Sequence, residues 1–93
     1  MKALPPDEVR ARLAKTPGWD LDGNTIRKRF RCPSFPAAIT FVDKVAEIAE
    51  AADHHPDITI NYDRVTLTLS THAAGGLTER DFALAAEIET VAP

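Results

Sequence analysis

Cysteine is almost absent from this chain. Cys32 stands alone, so neither an internal disulfide nor a cysteine-based zinc site can form. A fold without such staples suits a reducing compartment, and a cytoplasmic protein is expected. Long apolar runs are missing too. No stretch approaches the ~20 apolar residues of a membrane span. The opening Met1-Lys2-Ala3-Leu4-Pro5-Pro6-Asp7 has no apolar segment of signal-peptide length. Nor is there an excess of positive charge: 11 Lys and Arg against 14 Asp and Glu leave a net charge of −3. Direct nucleic-acid binding, which needs a dense basic face to displace counterions, is therefore not expected. What is present is an ordinary globular composition, 44% hydrophobic and 27% charged. The 93 residues make one domain spanning 1–93. A domain this small buries only ~60–65% of its unfolded surface, which favours association with further copies.

Helical and extended patterns alternate along the chain. Pro5-Pro6-Asp7-Glu8 has the proline and acids of a helix start, Val9 and Leu13 share a face, and Thr16-Pro17-Gly18 ends the segment. Trp19–Leu21 and Thr25–Cys32 flank Asp22-Gly23-Asn24, a hairpin signal. Within the second strand Ile26, Lys28, Phe30 and Cys32 share one face, and Arg27, Arg29 and Arg31 the other, solvated one. Ser34 is placed to cap the longest helix, Phe35 to Ala52. Its apolar stripe Phe35, Ile39, Val42, Ala46 and Ala49 is widened by Phe41, Val45, Ile48 and Ala52, and this second stripe is read as a subunit contact. Ile58, Ile60 and Tyr62 alternate, as do Val65, Leu67 and Leu69, across a tight connection at Asp63-Arg64. Gly75-Gly76 breaks the chain before a last helix from Thr78 to Glu89. The order α-β-β-α-β-β-α predicts an α+β, two-layer architecture: a four-stranded antiparallel sheet with its helices on one face.

All three histidines fall between positions 54 and 72. Imidazole titrates near neutral pH and can give or take a proton without strong tuning. His54 and His55 lie where the long helix ends, and Pro56 disfavours helical backbone at His55. A hairpin of the following length can return His72 to the same end of the sheet, so the three imidazoles are expected to converge. A lone histidine there would more often be a charge set against the helix dipole. Three histidines also suggest zinc, with Glu50 and Asp81 able to complete a shell, but the i,i+4 spacing of a helical zinc site is absent, so a metal stays open as an alternative that the spacing does not favour. Glu50, four residues before His54, either orients an imidazole or is an exposed acid of the long helix, and the spacing does not choose between them. Thr78-Glu79-Arg80-Asp81 is a capping-box pattern that would turn Asp81 back to the helix start. Trp19 fills a core or walls a pocket for a planar heterocycle, and Tyr62 is expected to pack within its strand.

Glu50, His54-His55-Pro56, Tyr62, His72 and Asp81, in this order and separation, resemble the pterin-4a-carbinolamine dehydratases. Gly18-Trp19, the helix start at Phe35, Val45-Ala46-Glu47, Thr71-His72 and Gly76-Leu77-Thr78 extend the likeness from about Leu4 to Glu89. The resemblance implies a dehydratase that converts 4a-hydroxytetrahydropterin to quinonoid dihydropterin and water, within the recycling of tetrahydropterin. It also implies no metal, no separate cofactor, and assembly as a homodimer or homotetramer to which the long helix contributes. His54 and His72 become acid/base candidates, His55 a positioning or auxiliary acid/base residue, and Glu50, Asp81 and Trp19 supporting or substrate-binding residues. The alternative is a non-catalytic binding module, since relatives of this kind act as a transcriptional coactivator or as an assembly factor. The complete histidine set favours the enzyme, whose partner is then a small pterin; any protein partner is unknown.

Overall fold

A computed structural model describes residues 2–93. The chain runs α1 (Pro6–Leu13), β1 (Asp20–Asp22), β2 (Thr25–Arg31), α2 (Phe35–Ala52), β3 (Asp57–Asn61), β4 (Arg64–Leu69), a short 3₁₀ turn (His72–Ala74) and α3 (Glu79–Glu89). The strands form one antiparallel sheet in the order β1-β2-β4-β3. The α+β, two-layer reading holds, with the helices on one face of the sheet.

Alternation decides which side of each strand meets the helices. Ile26 and Phe30 of β2 lie opposite Leu69 and Val65 of β4, and all four are buried. Arg27, Arg29 and Arg31 take the other face, as their spacing predicts. Gly23 turns the first hairpin at φ 60°, a conformation that side chains resist. Hydrophobic burial of this kind contributes ~25 cal/mol per Å² of apolar surface removed from water. Val9 of α1, Val45 of α2 and Phe82, Leu84 and Ile88 of α3 complete the same core.

The phase of α2 differs from the expected one. Ser34 caps it, accepting from the Ala37 amide at 3.2 Å. The core-facing residues are Ala38, Phe41, Val45 and Ala49, while Phe35 and Ile39 are exposed. Phe41 and Val45 are therefore core, not subunit contact. Phe41 is held there by Phe30, with ring centroids 4.9 Å apart, and Phe30 in turn meets Trp19 edge-on. A helix apolar around most of its circumference gives no sequence signal for which stripe faces the sheet.

The second hairpin is offset by one residue. Asn61 pairs with Arg64, so Tyr62 and Asp63 form the turn, and Tyr62 adopts φ 56°. It is 70% exposed instead of packed in the strand.

Candidate active site

Asp57 at the start of β3 pairs with Thr68 near the end of β4. The hairpin thus returns the segment after Leu69 to the end of the sheet where α2 delivers His54. β4 ends at Leu69, so the strand alternation does not continue to His72, which instead opens the 3₁₀ turn and is exposed. A bridge between Thr71 and Gly76 closes this loop at its base.

Between the two segments sits Asp81, fully buried at the third position of α3. One carboxylate oxygen, Oδ2, accepts from the Thr78 amide at 2.9 Å and from the Thr71 hydroxyl at 2.8 Å. The other, Oδ1, lies 2.5 Å from His54 Nε2. The capping box is thus real, and Asp81 also ties the loop carrying His72 to the chain end of α2. The two Thr hydroxyls are 2.9 Å apart. Since the Thr71 proton goes to Asp81, Thr78 donates to Thr71. The order of donation then runs from Thr78 through Thr71 into the carboxylate.

This network assigns the tautomer of His54. An ionised carboxylate only accepts, so the proton lies on His54 Nε2 and points inward. His54 is 8% exposed. No buried side-chain nitrogen or oxygen among the described residues lacks a partner. Its Nδ1, which has no protein partner, is therefore the atom that meets solvent. A buried carboxylate holding one ring nitrogen while the other faces outward is an arrangement suited to proton transfer.

The second imidazole is wired differently. His55 Nε2 lies 2.8 Å from Glu50 Oε1, and both side chains are open to water, at 59% and 81% exposure. Glu50 therefore partners His55, not His54, because α2 ends before the i,i+4 relation to His54 is reached. Asp53 adopts the left-handed conformation (φ 50°, ψ 42°), which rotates His54 inward and leaves His55 outward. Such a residue costs roughly 1–2 kcal/mol when it carries a side chain, although Asp is among the more tolerant.

Trp19 lies elsewhere. It is 3% exposed, and its indole nitrogen donates to Glu89 at 3.0 Å. Glu89 ends α3, about 12 Å of helix from Asp81 at 1.5 Å per residue. Trp19 is a core residue with no open ring face. An apolar recess of about 290 Å³, lined by residues including Leu4, Val9, Leu21 and Leu77, contains no histidine or carboxylate. None of His54, His55, His72, Glu50 or Asp81 lines this recess. Among the described residues no group of three or more His, Cys, Asp or Glu is placed to share a metal ion. Thr71 is the residue that sequence reasoning missed: its polar side chain on a strand end gave no sign that it would be buried against Asp81.

Fold and site together define a small two-layer α+β protein carrying a histidine–carboxylate cluster at one end of its sheet. The sequence comparisons name it more narrowly. Residues 2–91 match the family model of pterin 4 alpha carbinolamine dehydratase, and the chain belongs to that family. It is 56% identical over 91 residues to a Chloroflexus aurantiacus protein bearing the name "Putative pterin-4-alpha-carbinolamine dehydratase", with 98% of each chain covered. A Roseiflexus castenholzii protein of the same name is 58% identical over 84 residues, 90% of each chain. A Brucella melitensis crystal structure, described as a transcriptional coactivator/pterin dehydratase, superposes with TM-score 0.93 at 34% identity, covering 99% of this chain and 100% of that one. A pterin dehydratase-like protein identified as a RuBisCO assembly factor in the alpha-carboxysome has TM-score 0.64 at 26% identity, over 78% and 84% of the two chains.

Proposed function

We propose that this protein dehydrates 4a-hydroxytetrahydropterin by histidine acid–base catalysis, in the recycling of tetrahydropterin in the cytoplasm. The observation that carries this reading is the buried Asp81–His54 pair, in which the carboxylate holds one ring nitrogen and leaves the other free to meet solvent. Dehydration breaks the C4a–O bond. The leaving oxygen takes a proton and departs as water, a ring nitrogen gives up its proton, and its lone pair becomes the new C=N bond. His54 Nδ1 is the acceptor for the ring proton, because Asp81 holds Nε2 protonated and stabilises the positive charge that develops. His72, exposed on its loop, is the donor to the leaving hydroxyl. His55, steadied by Glu50, binds or assists from the solvent side. These steps use side chains of this chain alone.

A synthetic 4a-hydroxytetrahydropterin assay tests the reading, with His54, His55 and His72 all replaced by alanine as the control. Acceleration by the wild type but not the triple variant is expected; equal rates would refute it. Association into a dimer or tetramer is part of the same proposal, through the exposed stripe of α2 that begins at Phe35 and Ile39. A binding module is the second reading, supported by the coactivator and assembly-factor names of the structural neighbours. It predicts a folded protein that the pterin assay finds inert.

A further inference from the structure

The C-terminus of α2 is closed in an unusual way. The amides of Asp53 and His54 donate back to the carbonyls of Glu50 and Ala49, each at 3.1 Å. This is the pattern of a left-handed helix stop, here without the usual glycine. The later carbonyls still need donors, and the last turn of α2 contains no basic residue to supply them. The donor comes from another helix. Arg80 Nη2 donates to the carbonyls of Ala52 at 3.1 Å and Asp53 at 2.6 Å. Its positive charge also meets the negative end of the α2 dipole.

Arg80 and Asp81 are consecutive, and they grip the same short segment at different points. Arg80 holds the carbonyls on the N-terminal side of His54; Asp81 holds the His54 imidazole. The first contact fixes where the backbone leaves α2, and the second fixes how the ring is turned. Neither suffices alone, because a ring bound at its tip still swings if its backbone shifts. We propose that Arg80 is a positioning residue for the histidine pair: its guanidinium sets the exit of α2 so that His54 reaches Asp81 and His55 is presented beside Glu50. The kinetic consequence rests on the dehydratase reading; the structural one does not.

Three variants of the full chain separate positioning from mere stabilisation. Arg80→Met keeps the aliphatic stem and removes every donor. Arg80→Lys keeps the charge and one nitrogen, which suffices because a single nitrogen makes both contacts. Arg80→Gln keeps a neutral donor. Each is measured by denaturant unfolding, by kcat and KM on 4a-hydroxytetrahydropterin, and by the imidazole nitrogen and Nε2 proton resonances of His54. With the protein shown to be folded, Arg80→Met is expected to shift or broaden the His54 resonances. Displacing a reacting group by about 1 Å can cost about 100-fold, so its kcat should fall by about 10–100-fold with KM changed far less. Arg80→Lys should recover most of that loss and Arg80→Gln part of it. Should Arg80→Met not fold, the ranking of the Lys and Gln variants in resonance position and kcat decides instead. Unchanged His54 resonances in folded variants would overturn the proposal, as would a kcat loss that follows only the unfolded fraction. If the wild type fails to dehydrate the pterin, the functional reading falls, and the His54 resonances still decide the role of Arg80.

Discussion

Replacing Asp81 by asparagine changes one atom of a buried side chain, yet it should reverse the chemistry of His54. The carboxylate accepts at both oxygens: from Thr71 and Thr78 at Oδ2, and from His54 at Oδ1. Asparagine can satisfy Thr71 and the Thr78 amide only by placing its oxygen on their side. Its NH₂ group then faces His54 Nε2, and two donors oppose each other. The imidazole must move its proton to Nδ1, so the outward nitrogen becomes a donor where the proposed mechanism needs an acceptor. Acid–base help is typically worth ~10²–10⁴-fold, and a fall in kcat of about that size is expected. The stability cost should be modest, about 1–3 kcal/mol, because a charge-assisted bond becomes a neutral one and the shape is kept. Asp81→Ala differs in kind. It leaves the Thr71 hydroxyl, the Thr78 amide and the His54 ring without their acceptor, each a loss of about 1–3 kcal/mol, which threatens a domain of ordinary stability. Urea unfolding and single-turnover dehydration assays measure the two effects separately. A folded Asp81→Asn protein with wild-type kcat would refute the tautomer argument and remove His54 from the role of base.

Phe41→Ala should cost about 3–5 kcal/mol of monomer stability, because it empties a buried site against Phe30, whereas Phe35→Ala should leave the unfolding midpoint nearly unchanged and weaken self-association in sedimentation. Glu89→Ala removes the acceptor of the Trp19 indole and the partner of Lys28, so stability should fall by about 1–2 kcal/mol while kcat per folded molecule holds; a kcat loss would return Trp19 to the pocket. Burial, and then the nearby Asp63, raises the Cys32 thiol above its ordinary value of 9.0. Its contribution to stability is full below that value and is lost as the pH rises toward the folded value, because the unfolded thiol ionises first. Cys32→Ala should therefore flatten the fall in stability above about pH 9, and a thiol reagent should react with the native protein only as fast as it opens. An equally steep fall in both proteins would refute this.

The legible parts of the sequence were those in which one local signal admits one structure. Asp22-Gly23-Asn24 needs a positive φ, and Gly23 provides it. Thr78 and Asp81 stand at capping-box spacing, and both reciprocal bonds form. The alternation of Val65, Leu67 and Leu69 fixes a buried face without help from elsewhere. The face of α2 was not legible, because the choice between its two stripes depends on Phe30 and α3, neither of which is local. The partner of Glu50 failed for the same reason. An i,i+4 relation presumes that the helix continues, and the left-handed turn at Asp53 ends it one residue too soon.

That single turn also explains why two adjacent histidines acquire opposite environments. In a continuing helix His54 and His55 would differ by about 100° around the axis, and both would remain on its surface. After the reversal at Asp53 the first reaches a buried carboxylate in the first turn of α3, and the second is left with an exposed one. Pro56 then keeps the chain extended into β3, so His55 cannot follow His54 inward. A lone histidine could hold only one of these positions. The doublet thus supplies one imidazole held by a buried carboxylate and a second paired with an exposed one, which are the base and the auxiliary group of the proposed dehydration.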